Sequence, residues 1–181
     1  NVNMKYYNEQ AFFDEEDKSQ DSRWSVDVKI HMEEKTEFTL KLRIPAWVKE
    51  EVQVSVAGKP LAKEEYRVEE GYLVLHREWK EDVITLYLPA GLSMENLPDE
   101  PDMYAVLEGP IVLAGMSASD KGIVGDTEHP EDIFHRQTEH TYGVFPWKQS
   151  TYRTVNQPEN MVFKPLYEVQ DETYTVYFTR K

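Results

Sequence analysis

The sequence contains no cysteine. Disulfide bridges, thiolate metal sites and a cysteine nucleophile are therefore excluded. The compartment is not decided by this absence, because a larger domain in an oxidising space can fold without bridges. No apolar run approaches the ~20 residues of a membrane span, and no signal-peptide pattern is visible. Positive charge is scarce: 20 Lys and Arg stand against 34 Asp and Glu, for a net charge of −14. Such a surface repels phosphate backbones and anionic headgroups, which argues against nucleic acid and membrane as partners. There is no Asn-x-Ser/Thr sequon, no Gly-x-Ser-x-Gly and no phosphate-binding glycine loop. No segment sustains a 3.6-residue apolar period. The chain starts at Asn1 rather than at methionine, as expected of a processed chain or an excised fragment.

What is present is strand pattern. Among 181 residues, 40% hydrophobic and 12% aromatic side chains suffice for a packed core. Trp24, Val26, Val28, Ile30 and Met32 alternate with polar residues, as do Phe38, Leu40, Leu42 and Ile44, and then Val52, Val54 and Val56. Period two over such runs predicts half-buried strands. Further strands are predicted over 72–75, 83–88 and 104–113, with a final hairpin of 161–167 and 173–178 across Glu168–Glu172. Turns are expected at "EEKTE", "VAGKP", "EEGY" and "WKEDV". The best helix candidate is "PEDIFHRQTE", residues 130–139, with proline and acids at its start. In "LRIPAWV", Pro45 has no amide hydrogen and ends the strand, leaving Trp47 as a plug at the corner of a sandwich.

The fold class predicted is all-β: antiparallel β-sandwich, as two small jelly-roll-like units. Residues 1–20, with the acidic run Asp14–Asp17, form an irregular lead-in. Residues 21–97 form the first sandwich, and the Pro- and acid-rich stretch 92–102 contains the boundary. Residues 98–181 form the second. It includes a long loop at 115–160, and strands from a parent chain could complete it.

Four blocks in order carry a family resemblance: "FTLKLRIPAWV", "VQVSVAGKPL", "GYLVLHREWKEDVITLYLP" and "YAVLEGPIVLAG". Over residues 38–115 they resemble the C-terminal β-sandwich region of glycoside hydrolase family 127, the β-L-arabinofuranosidase-like enzymes. The tail "ENMVFKPLYEVQDETYTVYFTR" looks like the extreme C-terminus of Bacteroides-type members. Two turns depart from the family pattern. Ala57-Gly58 stands where Asn-Gly is common, which makes a type I′ turn less expected, and Glu81-Asp82 stands where Gly-Asp is common. The resemblance implies an N-terminal helical catalytic barrel with, in characterised members, a cysteine nucleophile and a cysteine-held zinc ion. None of that motif is present, so no catalytic residue, metal or cofactor carries over. The implied role is a non-catalytic accessory region of a secreted glycoside hydrolase, periplasmic or extracellular. Its partners would be the N-terminal catalytic barrel of the parent chain and a plant polysaccharide or oligosaccharide. The alternative is a carbohydrate-binding module using exposed aromatics.

Residue by residue, the plainer readings prevail. The pairs Glu33-Glu34, Glu50-Glu51, Glu64-Glu65 and Glu69-Glu70 could serve glycoside hydrolysis, but they adjoin turn signals and read as solvated. Glu108 is a charge inside the apolar run "YAVLEGPIVL"; it reads as an outward or bulged position, or as an acid/base group or a salt bridge to a docked domain. His129, His135 and His140 match no metal-ligand spacing, and Asp14–Asp17 lacks the spacing and glycine of a calcium loop. Trp47 and Trp79 are candidates for a carbohydrate or domain contact, but at strand ends they read as core plugs. Tyr142, Phe145 and Trp147, in "TYGVFPW", are the rings best placed for a sugar or a domain contact.

Overall fold

A computed structural model of the chain describes residues 2–9, 22–137 and 150–181. The chain divides into two compact units, Asn1–Gly91 and Leu92–Lys181.

The first unit holds β1 (Val2–Glu9), β2 (Ser22–Arg43), β3 (Gln53–Val56), β4 (Lys59–Pro60), β5 (Arg67–Glu69) and β6 (Tyr72–Ala90). They form one antiparallel sheet in the order β1-β2-β6-β3-β4, with β5 also on β6. The predicted irregular lead-in is corrected at its start, where β1 pairs with β2 from Val2↔Ile30 to Glu9↔Arg23. The predicted turns "EEKTE" and "WKEDV" do not reverse the chain. Strands β2 and β6 stay paired from Ser22↔Ala90 to His31↔Glu81 and again from Thr36↔Trp79 to Arg43↔Tyr72, with a register shift between. Extra residues on one strand of a ladder bend it, so a charged run that reads as a turn is here a bend in a long ribbon.

Core residues come from both halves of that ribbon: Val26, Val28 and Ile30 before the shift on β2, and Leu73, Leu75 and Trp79 on β6. Each such apolar side chain contributes about 1.5–3 kcal/mol on burial. The strand ends before Pro45 as predicted. The Ile44 amide donates to the Gly71 carbonyl at 2.7 Å, and the Val48 amide closes a turn on the Pro45 carbonyl at 3.1 Å. Trp47 lies half-buried against the core, edge-on to Trp24 at 6.3 Å. The Ala57-Gly58 turn corrects its expectation. Both residues have positive φ, 50° and 74°, between the paired Val56 and Lys59, which is the type I′ arrangement. Glu70-Gly71, at 51° and 77° between Glu69 and Tyr72, repeats it.

The second unit holds β7 (Leu92–Leu97), β8 (Glu100–Glu108), β9 (Ile111–Gly115), β10 (Phe134–Arg136), β11 (Tyr152–Thr154), β12 (Val162–Pro165) and β13 (Tyr177–Thr179). Their order is β10-β11-β12-β9-β8-β13, with β7 on the other side of β8. The stretch predicted as a linker is thus β7, its turn and the start of β8, and the boundary falls before Leu92. The helix candidate is a single 3-10 turn, Pro130–Asp132, followed at once by β10. Phe134 and Ile133 are buried in the core, and that demand outweighs the helical start signal. The final hairpin also does not form: β12 pairs with β9 and β11, while β13 pairs with β8. Phe163 and Phe178 pack with tilted rings 5.1 Å apart in the core over Gly115, so each of the two segments is pulled to its own place. Among the described residues no helix is long and apolar enough to cross a membrane.

Candidate functional site

The most unusual group in the second unit is Glu108. On β8 it faces the same side as Val106, into the core, and is 1% exposed. The outward or bulged position expected from the sequence is therefore corrected, because the strand stays regular through Leu92↔Glu108 and Glu108↔Ile111. The turn after it starts at Gly109, whose φ of 55° a side chain would strain, and continues with Pro110. The salt bridge foreseen as one option exists, but inside the unit. Arg136 of β10 donates through Nη2 to Glu108 Oε1 at 2.5 Å and to the Tyr152 hydroxyl at 2.8 Å.

Arg136 and Tyr152 are direct cross-strand partners on β10 and β11, and the guanidinium lies 5.3 Å from the Tyr152 ring centre. Burial pushes the Tyr152 hydroxyl far above its ordinary range, and the Glu108 charge adds to this while Arg136 opposes it. Tyr152 therefore stays protonated. Glu108 is engaged by the Arg136 cation, and the three side chains form one buried network. Among the described residues, Glu108 Oε2 and Arg136 Nε have no hydrogen-bond partner.

A shallow depression of about 420 Å³ opens nearby, lined by Pro110, Ile111, Val112, Leu166 and Tyr167. No carboxylate or imidazole lines it. The Tyr167 hydroxyl is raised by partial burial, then by the charges of Glu168 and Glu108. A second ion pair joins Lys164, buried on β12, to Glu172 on the loop beyond. Asp120 ties the chain end: its carboxylate accepts from the Thr179 hydroxyl, from the Thr179 amide at 3.1 Å and from the Gly122 amide at 2.7 Å.

The other candidates are scattered. Trp79 is fully buried, donating its indole N–H to the Phe38 carbonyl at 3.0 Å, and offers no ring face to a sugar. Trp47 packs on the first unit's core. Tyr142, Phe145, Trp147, His140 and Asp14–Asp17 lie outside the described residues. The His129 ring pairs with Glu131 at 3.1 Å, and among the described residues no three His, Asp or Glu side chains form a group that could hold a metal ion. Sequence reasoning missed Arg136, because its partner is 28 residues away and no local pattern marks it.

Comparison with known proteins bears on the whole assembly. Residues 10–90 match the family model described as β-L-arabinofuranosidase, GH127 middle domain. The chain carries a GH127-related region. Its description is of a middle domain, and in this chain a second β unit follows the matched residues. No curated protein matches. Among solved structures, a GH127 β-L-arabinofuranosidase from Geobacillus stearothermophilus T6 aligns at 17% identity and TM-score 0.55, over 98% of this chain and 32% of that one. A structure described as a glycoside hydrolase aligns at 16% and 0.54, over 91% of this chain and 31% of that one. A GH127 β-arabinofuranosidase aligns at 19% and 0.51, over 99% and 32%. At these identities the likeness is one of fold. The chain spans about a third of the length of the structures it matches.

Proposed function

We propose that the chain is a non-catalytic accessory β-sandwich region of a GH127-type glycoside hydrolase, and that it braces a helical catalytic barrel elsewhere in the parent enzyme. One observation carries this reading. The family match over 10–90 continues as a fold match through both units, within chains about three times as long. The site chemistry agrees with it: among the described residues, the one carboxylate buried in a core is already held by Arg136. Two carboxyl groups facing a sugar, as glycoside hydrolysis requires, are not what this network offers. A periplasmic or extracellular setting belongs to the same proposal.

The test is direct. The purified chain, incubated with nitrophenyl α- and β-L-arabinofuranosides, releases no nitrophenol above the buffer rate. Release that disappears in Glu108→Gln would overturn the reading. The rival, a carbohydrate-binding module, predicts retardation in gels containing plant polysaccharide, abolished by Trp47→Ala; the accessory role predicts unchanged mobility.

A further inference from the structure

The two units differ in what their outer sheet faces present. In the first, several positions alternating with core residues carry polar or charged side chains that are paired across strands. Asp27 accepts from the Thr85 hydroxyl at 2.7 Å, and Lys41 lies 3.5 Å from Glu69. Such a face is stable in water. In the second, alternation on β8 turns Ala105 and Leu107 outward, opposite the buried Val106 and Glu108. Beside Leu107 stands Val112 of β9, and beside Ala105 stands Tyr177 of β13, 48% exposed. Val112 also lines the depression with Pro110, Leu166 and Tyr167, the last 69% exposed. Row and depression are thus continuous through Val112, while Ser93 and Glu95 of β7 stand beside Leu107 and Ala105 along the row's other edge.

Resting on the accessory reading above, we propose that this surface of the second unit is the docking face for another domain of the same polypeptide. That domain seats an apolar side chain in the depression between Pro110 and Tyr167. Two observations select this occupant. The matched structures hold about two-thirds of their length outside the region shared with this chain. A tethered domain meets the face at high effective concentration, so modest apolar area suffices. A second copy is disfavoured, because each chain carries −14 and Glu168 adjoins Tyr167 directly. The lining also rules on chemistry. Aliphatic and phenolic walls without a charged group give a polar ligand little to orient it, whereas they accept a leucine or phenylalanine side chain.

The remainder of the open reading frame, expressed as a separate chain, is titrated with this chain by calorimetry. Binding is expected, weakened roughly tenfold or more by Tyr167→Glu and by Tyr177→Glu, and unchanged by Lys29→Glu on the first unit. Thermal melts of each variant alone verify that these exposed positions leave folding intact. Amide hydrogen exchange of the complex is expected to show protection over 107–112 and 166–167. Wild-type binding that ignores both tyrosine variants, with protection confined to β2 and β6, overturns the assignment of the face and leaves the accessory reading standing. No wild-type binding overturns both.

Discussion

Arg136 and Glu108 form an ion pair 2.5 Å long inside the second unit, with side chains only 12% and 1% exposed. Removing two charges from water costs several kcal/mol each, and their attraction offsets this only when the remaining lone pairs and protons are also satisfied. Here Glu108 Oε2 and Arg136 Nε are left without partners among the described residues. The pair therefore adds little net stability, but breaking it leaves a charge stranded in the core.

That asymmetry gives the first prediction. Glu108→Leu or Arg136→Met alone destabilises the second unit by about 3–5 kcal/mol, while the double variant is about as stable as the wild type. Urea unfolding followed by Tyr and Trp fluorescence measures all four corners of the cycle. Additive losses in the double variant would show that the two residues act separately.

Ala57 supplies the second. At φ 50° it occupies the left-handed region in a type I′ turn, next to Gly58 at 74°. Asparagine tolerates that region better and is favoured at this turn position. Ala57→Asn should raise stability by about 0.5–1 kcal/mol, and a β-branched Ala57→Val should lower it. An unchanged urea midpoint for both would mean that the turn relaxes at no cost.

Much of the first unit is legible in its amino-acid pattern. The alternation of Val26, Val28 and Ile30 with Asp27 and Lys29 fixes both strand and inward face, because a slip of one residue would expose the whole set. Pro45 marks its strand end for a reason internal to the residue. The bend near Met32–Lys35 is not legible as a bend, since a charged run signals solvent whether the chain reverses or only kinks. In the second unit β10, β11 and β13 have three residues each, too few for a period to register. The Glu108–Arg136 pair depends on folding that brings β10 across to β8, and nothing local in either segment announces it.

Acid sensitivity is the third prediction. Glu172 is held down to about 2, first by its hydrogen bond from Lys164 and then by the backbone amide of Gln170. For Asp120, burial pulls upward, but the Thr179 hydroxyl, the Gly122 and Thr179 amides and Lys181 outweigh it, so its carboxyl also sits below the usual range. A carboxyl depressed in the folded state contributes stability that is fully present above its unfolded pKa of about 4 and is lost as pH falls through the folded value. The urea midpoint should therefore drop steadily from about pH 5 toward pH 2, and Glu172→Gln should flatten part of that slope. His129 acts oppositely: Glu131 raises its pKa, so its small contribution is present below about pH 6.5 and fades as pH rises. An acid limb identical in wild type and Glu172→Gln would contradict the pairing.

Of the second unit's glycines that face core side chains, Gly115 has the tightest fit. A Cβ there would lie 2.6 Å from Phe178 Cζ and 3.0 Å from Phe163 Cζ, both rings being fully buried. Real side chains do not approach so closely, and neither ring is a flexible chain end that could swing away. The Gly115 backbone is also engaged, with its amide donating to the Thr175 carbonyl and its carbonyl accepting from the Thr175 amide, each at 2.9 Å. The strand is therefore held in place while the rings are pressed from below. Gly115→Ala should cost about 1–3 kcal/mol through overpacking. The penalty identifies its own cause, because shortening the nearer ring makes room. In a Phe178→Leu background, which by itself loses core area, adding Gly115→Ala should cost much less than it does in the wild type. Equal costs in both backgrounds, measured by thermal or urea unfolding, would place the strain in the backbone instead of between Gly115 and Phe178.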